Sequence, residues 1–163
     1  MTDRAGFQIQ PIGVIRSEFK SKVGVPIQTA GAPDLVAELE VFAEFSAGLR
    51  DLGQFEYLIL LTRMHLAAEE SLEVVPFLDT VSRGVFSTRA PNRPNRIGLS
   101  IVRLLSVEGA SLRFEGVDMV DGTPVLDIKP YVPAFDVRKT DRIGWFAQSI
   151  DQLPGKLSDD RMR

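Results

Sequence analysis

The chain has 163 residues, 44% apolar and 25% charged, with a net charge of −3 and a sequence pI near 5.2. That length and balance fit one domain with a real core, and the mild acidity argues against a general nucleic-acid coat while leaving room for a local basic site. Cysteine is absent and His65 is the only histidine, so disulfides, thiolate metal sites, cysteine nucleophiles and histidine clusters are excluded, and no metal is expected.

The first residues, MTDRAGFQIQP, lack the apolar core of a signal peptide. Residues 7–15 alternate Phe7 and Ile9 with glutamines, which predicts a strand, with Pro11 at an edge or bulge. Residues 17–34 are rich in Ser, Lys, Gly and Pro and read as a long loop, a type of segment that is often functional. Leu35, Ala37, Leu39 and Val41 alternate with Val36, Glu38 and Glu40, the pattern of a half-buried strand. Residues 45–51 read as one helical turn weakened by Gly48. Residues 55–62, FEYLILLT, read as a buried strand, and the apolar run 57–62 is too short to span a bilayer. Residues 67–73 fit a short helix or a loop, and residues 74–78 and 84–87 fit short extended pieces.

Residues 99–107 predict a strand without clean alternation, as expected if both faces are covered. Residues 111–117 alternate again, and residues 125–128 give a last short strand. Short strands with Gly/Pro punctuation and little helix predict a mainly β fold: a single compact β-barrel domain with short helices and a C-terminal tail. The domain is placed at residues 1–136. Residues 137–163 form the tail, with a helix in 141–153 and a frayed DDRMR end. No internal repeat and no glycine-rich phosphate loop is present, so a dinucleotide-binding fold has no motif support.

Two stretches stand out. In STRAPNRPNRIG (87–98), Arg89, Arg93 and Arg96 offer planar donor forks suited to carboxylates or phosphates, and Pro91 and Pro94 stiffen the backbone. The stretch reads equally as a solvated connector or as an anion site. In DMVDGTPVLDIKPYVP (118–133), Asp118, Asp121 and Asp127 cluster, and Asp121-Gly122 is a turn signal. That turn does not account for Asp118, at the end of a strand beside a barrel mouth. A lone His65 reads as a structural residue, or as a ring to stack on a base, and Gln28 as a reader of a ligand amide edge.

Taken together, PIGVIRS (11–17), VPIQ (25–28), GVFSTRAPNRPNRIGLS (84–100) and DMVDGTPVLDIKPYVP (118–133) resemble the TsaA-like, or YaeB-like, family. The likeness spans residues 8–135. It implies a compact β-barrel that forms a homodimer, binds S-adenosyl-L-methionine near the subunit contact and works in the cytoplasm. The activity it implies, of the TrmO type, is methyl transfer to N6 of threonylcarbamoyl-modified adenosine beside a tRNA anticodon. Carried over position by position, the cofactor contacts are Ile27, Gln28, His65, Leu66, Arg89, Leu99 and the run Glu115, Gly116, Val117 and Asp118. Three positions depart from the family's pattern: Ile27 replaces an arginine, Leu66 a glutamine and Arg96 a proline. The extra C-terminal domain of many bacterial members is expected to be absent. Alternative readings are another RNA or small-molecule acceptor, or a non-catalytic barrel binding cofactor or RNA.

For such a cofactor, Arg89 suits the carboxylate, Asp118 the cationic end, and His65, Leu66 and Leu99 the flanks of the adenine. The acceptor amine needs a group to orient its hydrogens and take a proton, which makes Asp118 and Asp121 the catalytic candidates. Arg93 and Arg96 are then expected to meet RNA phosphates or a dimer partner.

Overall fold

The alternation in residues 36–41 becomes β2 (Val36–Val41), with Ala37, Leu39 and Val41 buried and Val36, Glu38 and Glu40 outward. The computed structural model describes residues 6–161. The other barrel strands are β1 (Gly13–Arg16), β3 (Tyr57–Arg63), β6 (Ile97–Glu108), β7 (Ser111–Glu115) and β8 (Pro124–Pro130). With β2 they close an antiparallel barrel in the order β1-β2-β7-β6-β3-β8. Closure leaves the barrel itself without a free edge among the described residues. A separate two-stranded ladder pairs β4 (Glu73–Val74) with β5 (Arg83–Gly84).

Inward side chains fill the barrel. Ile15, Leu39, Leu58, Leu60, Val102, Leu112, Phe114 and Val125 are all essentially inaccessible. Each such side chain contributes about 1.5–3 kcal/mol relative to an exposed one. The barrel's last seam is short. Gly13 faces Val125 and Val14 faces Pro124, and the Ile12, Ile15 and Gly122 amides donate to the Val125, Thr123 and Ile15 carbonyls. Between β7 and β8 the chain crosses the barrel end. There Val117 and Met119 join the core, and Asp118 between them is partly buried, its carboxyl meeting the inward hydroxyl of Ser100.

The expected strand at residues 7–15 shortens to β1. Pro11 has no amide hydrogen for a ladder, and Phe7 lies 83% exposed, so nothing pins the stretch before Ile12. Residues 43–49 form a 3-10 helix (Ala43–Leu49), as do Val85–Ser87, which were expected to be extended. In the latter turn the Ser87 and Thr88 hydroxyls donate to the Gly84 and Val85 carbonyls. The outer face of β6 differs from its expected covering: Ile97, Leu99 and Ile101 are all exposed. After a short helix, α1 (Pro133–Asp136), two 3-10 turns occupy Gly144–Gln148 and Ile150–Gln152. Gly144 takes φ +63 at the start of the first turn, a conformation outside the α-helical range. Of the expected frayed end, the last two residues lie outside the described ones; Ser158 and Arg161 make specific bonds to other loops.

At Gly13 the backbone of β1 lies close against β2. A Cβ there would run into the Glu40 carbonyl and lie 2.9 Å from Leu39 Cδ1. Gly13→Ala is expected to cost about 1–3 kcal/mol, read as a lower denaturation midpoint with an unchanged slope.

Candidate functional site

The site is built around Asp118. Its Oδ1 accepts a 2.6 Å hydrogen bond from the Ser100 hydroxyl, and its carboxyl also receives its own amide and that of Thr29. Ser100 occupies an inward position of β6, and Thr29 opens the 3-10 turn Thr29–Gly31. Only a modest part of Asp118 reaches solvent, and its carboxyl group is packed inside the protein. Burial pushes its pKa up to about 6; the Ser100 bond, the two amides and the Arg89 charge pull the other way. The carboxyl is thus mostly ionised at neutral pH but takes a proton easily.

Arg89 leaves the basic loop at an exposed position and donates from Nη1 to the Gln28 side-chain oxygen at 2.8 Å. The Gln28 amide in turn donates to the Ile27 carbonyl at 2.7 Å. Gly116 takes φ +85 and its amide donates to the Leu35 carbonyl. A Cβ on Gly116 would contact Thr29, so the left-handed glycine lets the crossing lie against the Thr29 turn. Ile27, Gln28, Arg89, Gly116 and Asp118 therefore gather on one set of loops.

The remaining candidates are placed differently. His65 follows β3 and lies beside the crossing, with Nε2 3.9 Å from where a Cβ on Gly122 would be. Burial holds its pKa below the usual imidazole range, so the ring is neutral at pH 7. Val117 is fully buried and offers its backbone alone. Glu115 faces outward and pairs with Arg103 at 3.4 Å. Leu99 is 44% exposed on the outer face of β6, opposite in register to Ser100, and Leu66 is exposed as well. Neither joins the Asp118 cluster within one chain.

Asp121 has separate work. Its carboxylate accepts the Ser17 amide and pairs with Lys20 at 2.9 Å, and the Lys20 bond holds its pKa below the usual range. It also lines an open groove of about 480 Å³ with Arg16, Lys20, Glu38 and Arg113, apart from the Arg89 loop. In the basic loop, Arg93 Nη1 donates to the Thr88 and Ala90 carbonyls, so it knits the loop from within. Arg96 sits at φ +53; its amide donates to the Arg93 carbonyl, its own carbonyl accepts the Met64 amide and its side chain reaches the Ala68 carbonyl. Ser100 and Thr29 escaped the sequence reading. The one available signal was a hydroxyl at an inward position of an otherwise apolar strand.

The family described as tRNA-methyltransferase O N-terminal domain matches residues 14–137. The chain belongs to this family. A Pyrococcus abyssi protein named "Probable S-adenosyl-L-methionine-binding protein" is 49% identical over 152 residues, covering 93% of this chain and 83% of the relative. A Mus musculus tRNA (adenine(37)-N6)-methyltransferase is 39% identical over 134 residues, 78% of this chain and 31% of the relative. The crystal structure of TrmO from Pseudomonas aeruginosa superposes with a TM-score of 0.72 at 40% identity, covering 86% of this chain and 63% of that one. This chain thus spans just under two thirds of that solved chain and about a third of the mouse enzyme. Among the described residues no group of His, Asp and Glu could hold a metal ion, and no helix is long and apolar enough to cross a membrane.

An acid whose folded pKa is raised favours the fold fully below its unfolded value near 3.8, and that contribution is lost as pH climbs through about 6. Asp118→Asn removes this dependence. The Tm of the variant relative to the parent is expected to rise by about 3–6 °C between pH 4.5 and pH 7.5. A constant difference across that range would show that Asp118 titrates normally.

Proposed function

We propose that the chain is an S-adenosyl-L-methionine-dependent methyltransferase, with N6 of threonylcarbamoyl-modified adenosine in a tRNA anticodon loop as its acceptor. The observation that carries the reading is the Arg89–Gln28 pair set on the same loops as the Thr29–Asp118–Ser100 cluster, in a chain of this family. The names of the methyltransferase relatives support the acceptor. With such an acceptor, we propose a cytoplasmic location for the protein.

The residues present fit such a cofactor. An exposed guanidinium suits its carboxylate, and an ionised Asp118 suits its positive charge. The cofactor supplies an electrophilic methyl group on a sulfonium. The chain's part is alignment: Arg89 and Gln28 fix one end, while the Thr29 turn and Gly116 shape the wall. Asp118 is the group placed to accept a hydrogen bond from the acceptor amine and then its proton, since a carboxyl near pKa 6 takes a proton without staying protonated at pH 7. Asp121 is committed to Lys20 and Ser17, so its role here is to brace the crossing. Neutral His65 is suited to flank a base. Arg96, and Arg93 through its remaining donors, supply the phosphate-facing charge. Ile27 and Leu66 favour a second reading, in which the same cofactor serves another acceptor, because they leave two of the family's polar positions apolar.

We also propose a homodimer joined through the outer faces of β3 and β6. Ile97, Leu99, Ile101 and Tyr57 are exposed there, with Leu61 opposite Leu99 and Ile59 opposite Ile101, which makes a continuous apolar sheet face. In a dimer of this kind, Leu99 would meet the cofactor pocket from the subunit contact.

Three measurements test these readings. Arg89→Ala is expected to weaken S-adenosyl-L-methionine binding by about ten-fold or more in calorimetry, the loss of a charge-assisted hydrogen bond. Unchanged affinity removes Arg89 from the site. Leu99→Lys with Ile101→Lys is expected to turn a particle of twice 18.0 kDa into one of 18.0 kDa in light scattering. Nucleoside mass spectrometry of tRNA from cells with and without the protein decides between the acceptors: an unchanged modified-adenosine profile favours the second reading.

A further inference from the structure

Gln28 and Arg89 are 61 residues apart in sequence, and neither lies on a barrel strand. Loops without ladder bonds carry large conformational entropy, so a 2.8 Å contact between two of them needs anchorage. The segment after the barrel supplies it. The Gly24 amide donates to the Ser158 carbonyl, the Ser158 amide to the Val25 carbonyl and the Ile27 amide to the Lys156 carbonyl. The Ser158 hydroxyl donates to the Lys22 carbonyl at 2.7 Å and accepts the Val25 amide at 2.9 Å. At Gly31 the two backbones nearly touch: the Gly155 amide donates to its carbonyl, and a Cβ on it would stand 2.9 Å from the Leu153 carbonyl. These bonds hold residues 22–31, the stretch that presents Ile27, Gln28 and Thr29.

The same segment grips the second loop. Trp145 Nε1 donates to the Ser87 carbonyl at 2.9 Å, two residues before Arg89. Arg161 reaches a different stretch, the connection between β4 and β5, where it donates to the Pro76 and Asp79 carbonyls and lies 5.5 Å from the Phe77 ring centre. The family match ends at residue 137, so every one of these contacts comes from chain beyond it.

We propose that residues 145–161 form a strap that sets the Gln28–Arg89 pair, with Ser158 and Trp145 as positioning residues for the methyl-donor pocket. The inference rests on the cofactor reading above. The strap acts through the two loops that carry the pair. A pocket wall held in place before binding loses less freedom when the ligand arrives, so loosening the strap weakens binding without removing a ligand contact.

The test uses the full chain and S-adenosyl-L-methionine in calorimetry at 25 °C, with Tm recorded for every variant. Ser158→Ala is expected to raise Kd about five-fold, and Ser158→Thr, which keeps the hydroxyl, to restore it. Trp145→Phe keeps the ring and loses the N–H; combined with Ser158→Ala it is expected to raise Kd about twenty-fold. A lower Tm with Kd unchanged within about two-fold makes the strap a stabiliser alone and overturns the inference. Failure of the unaltered chain to bind overturns the cofactor reading, and this inference with it. Binding by the unaltered chain with no change in the variants overturns this inference alone.

Discussion

The seam between β1 and β8 is the constraint on which the rest depends. Two facing pairs and three flanking backbone bonds close a six-stranded barrel that would otherwise be an open sheet with two unpaired edges. Closure forces the chain between β7 and β8 across the barrel end. In that crossing Val117 and Met119 complete the core, and Asp118 is turned toward Ser100 and the Thr29 turn. The core and the candidate site therefore share one short stretch, and Asp121, tied to Ser17 and Lys20, braces it at the seam itself.

Opposed forces keep Asp118 useful. Burial alone would leave it a neutral acid, and its hydrogen bonds and the Arg89 charge alone would leave it an inert carboxylate. Burial outweighs them, and the pKa near 6 that results gives a group that can change state close to neutral pH. The neighbouring aspartate shows the contrast: three residues on, a lysine partner holds Asp121 firmly ionised. Sequence proximity does not set chemical role here; the local count of donors against lost solvent does.

Much of the barrel was legible because β2 and β7 carry strict alternation with one face buried. The first strand was overread: Phe7 and Ile9 alternate properly but have no partner strand, and periodicity says nothing about pairing. The outer face of β6 was misread for a related reason, since an apolar residue reports burial somewhere without saying whether its own chain provides it. Of the residues that the structure brings together in the candidate site, Arg89, Gln28 and Asp118 were named through the family's motifs. Ser100 and Thr29 were not, because their contribution is one hydroxyl and one amide, and an amide has no residue-type signature. The packing of residues 145–161 was invisible for the same reason: the bonds that tie it to other loops end there on a backbone amide or carbonyl.

Arg96 has a consequence for how this family can vary. The resemblance noted in the sequence implies proline at this position in the common pattern, a residue locked near φ −65 and without an amide hydrogen. Arg96 stands at φ +53 and uses its amide to hold the Arg93 carbonyl. The two residues therefore belong to two different paths of the loop, and one cannot replace the other on an unchanged backbone. An evolutionary route between them runs through a residue that tolerates both conformations, glycine above all, with the peptide turning over before the side chain is exchanged. Exchanging one residue for the other is therefore a change of backbone path as well as of charge.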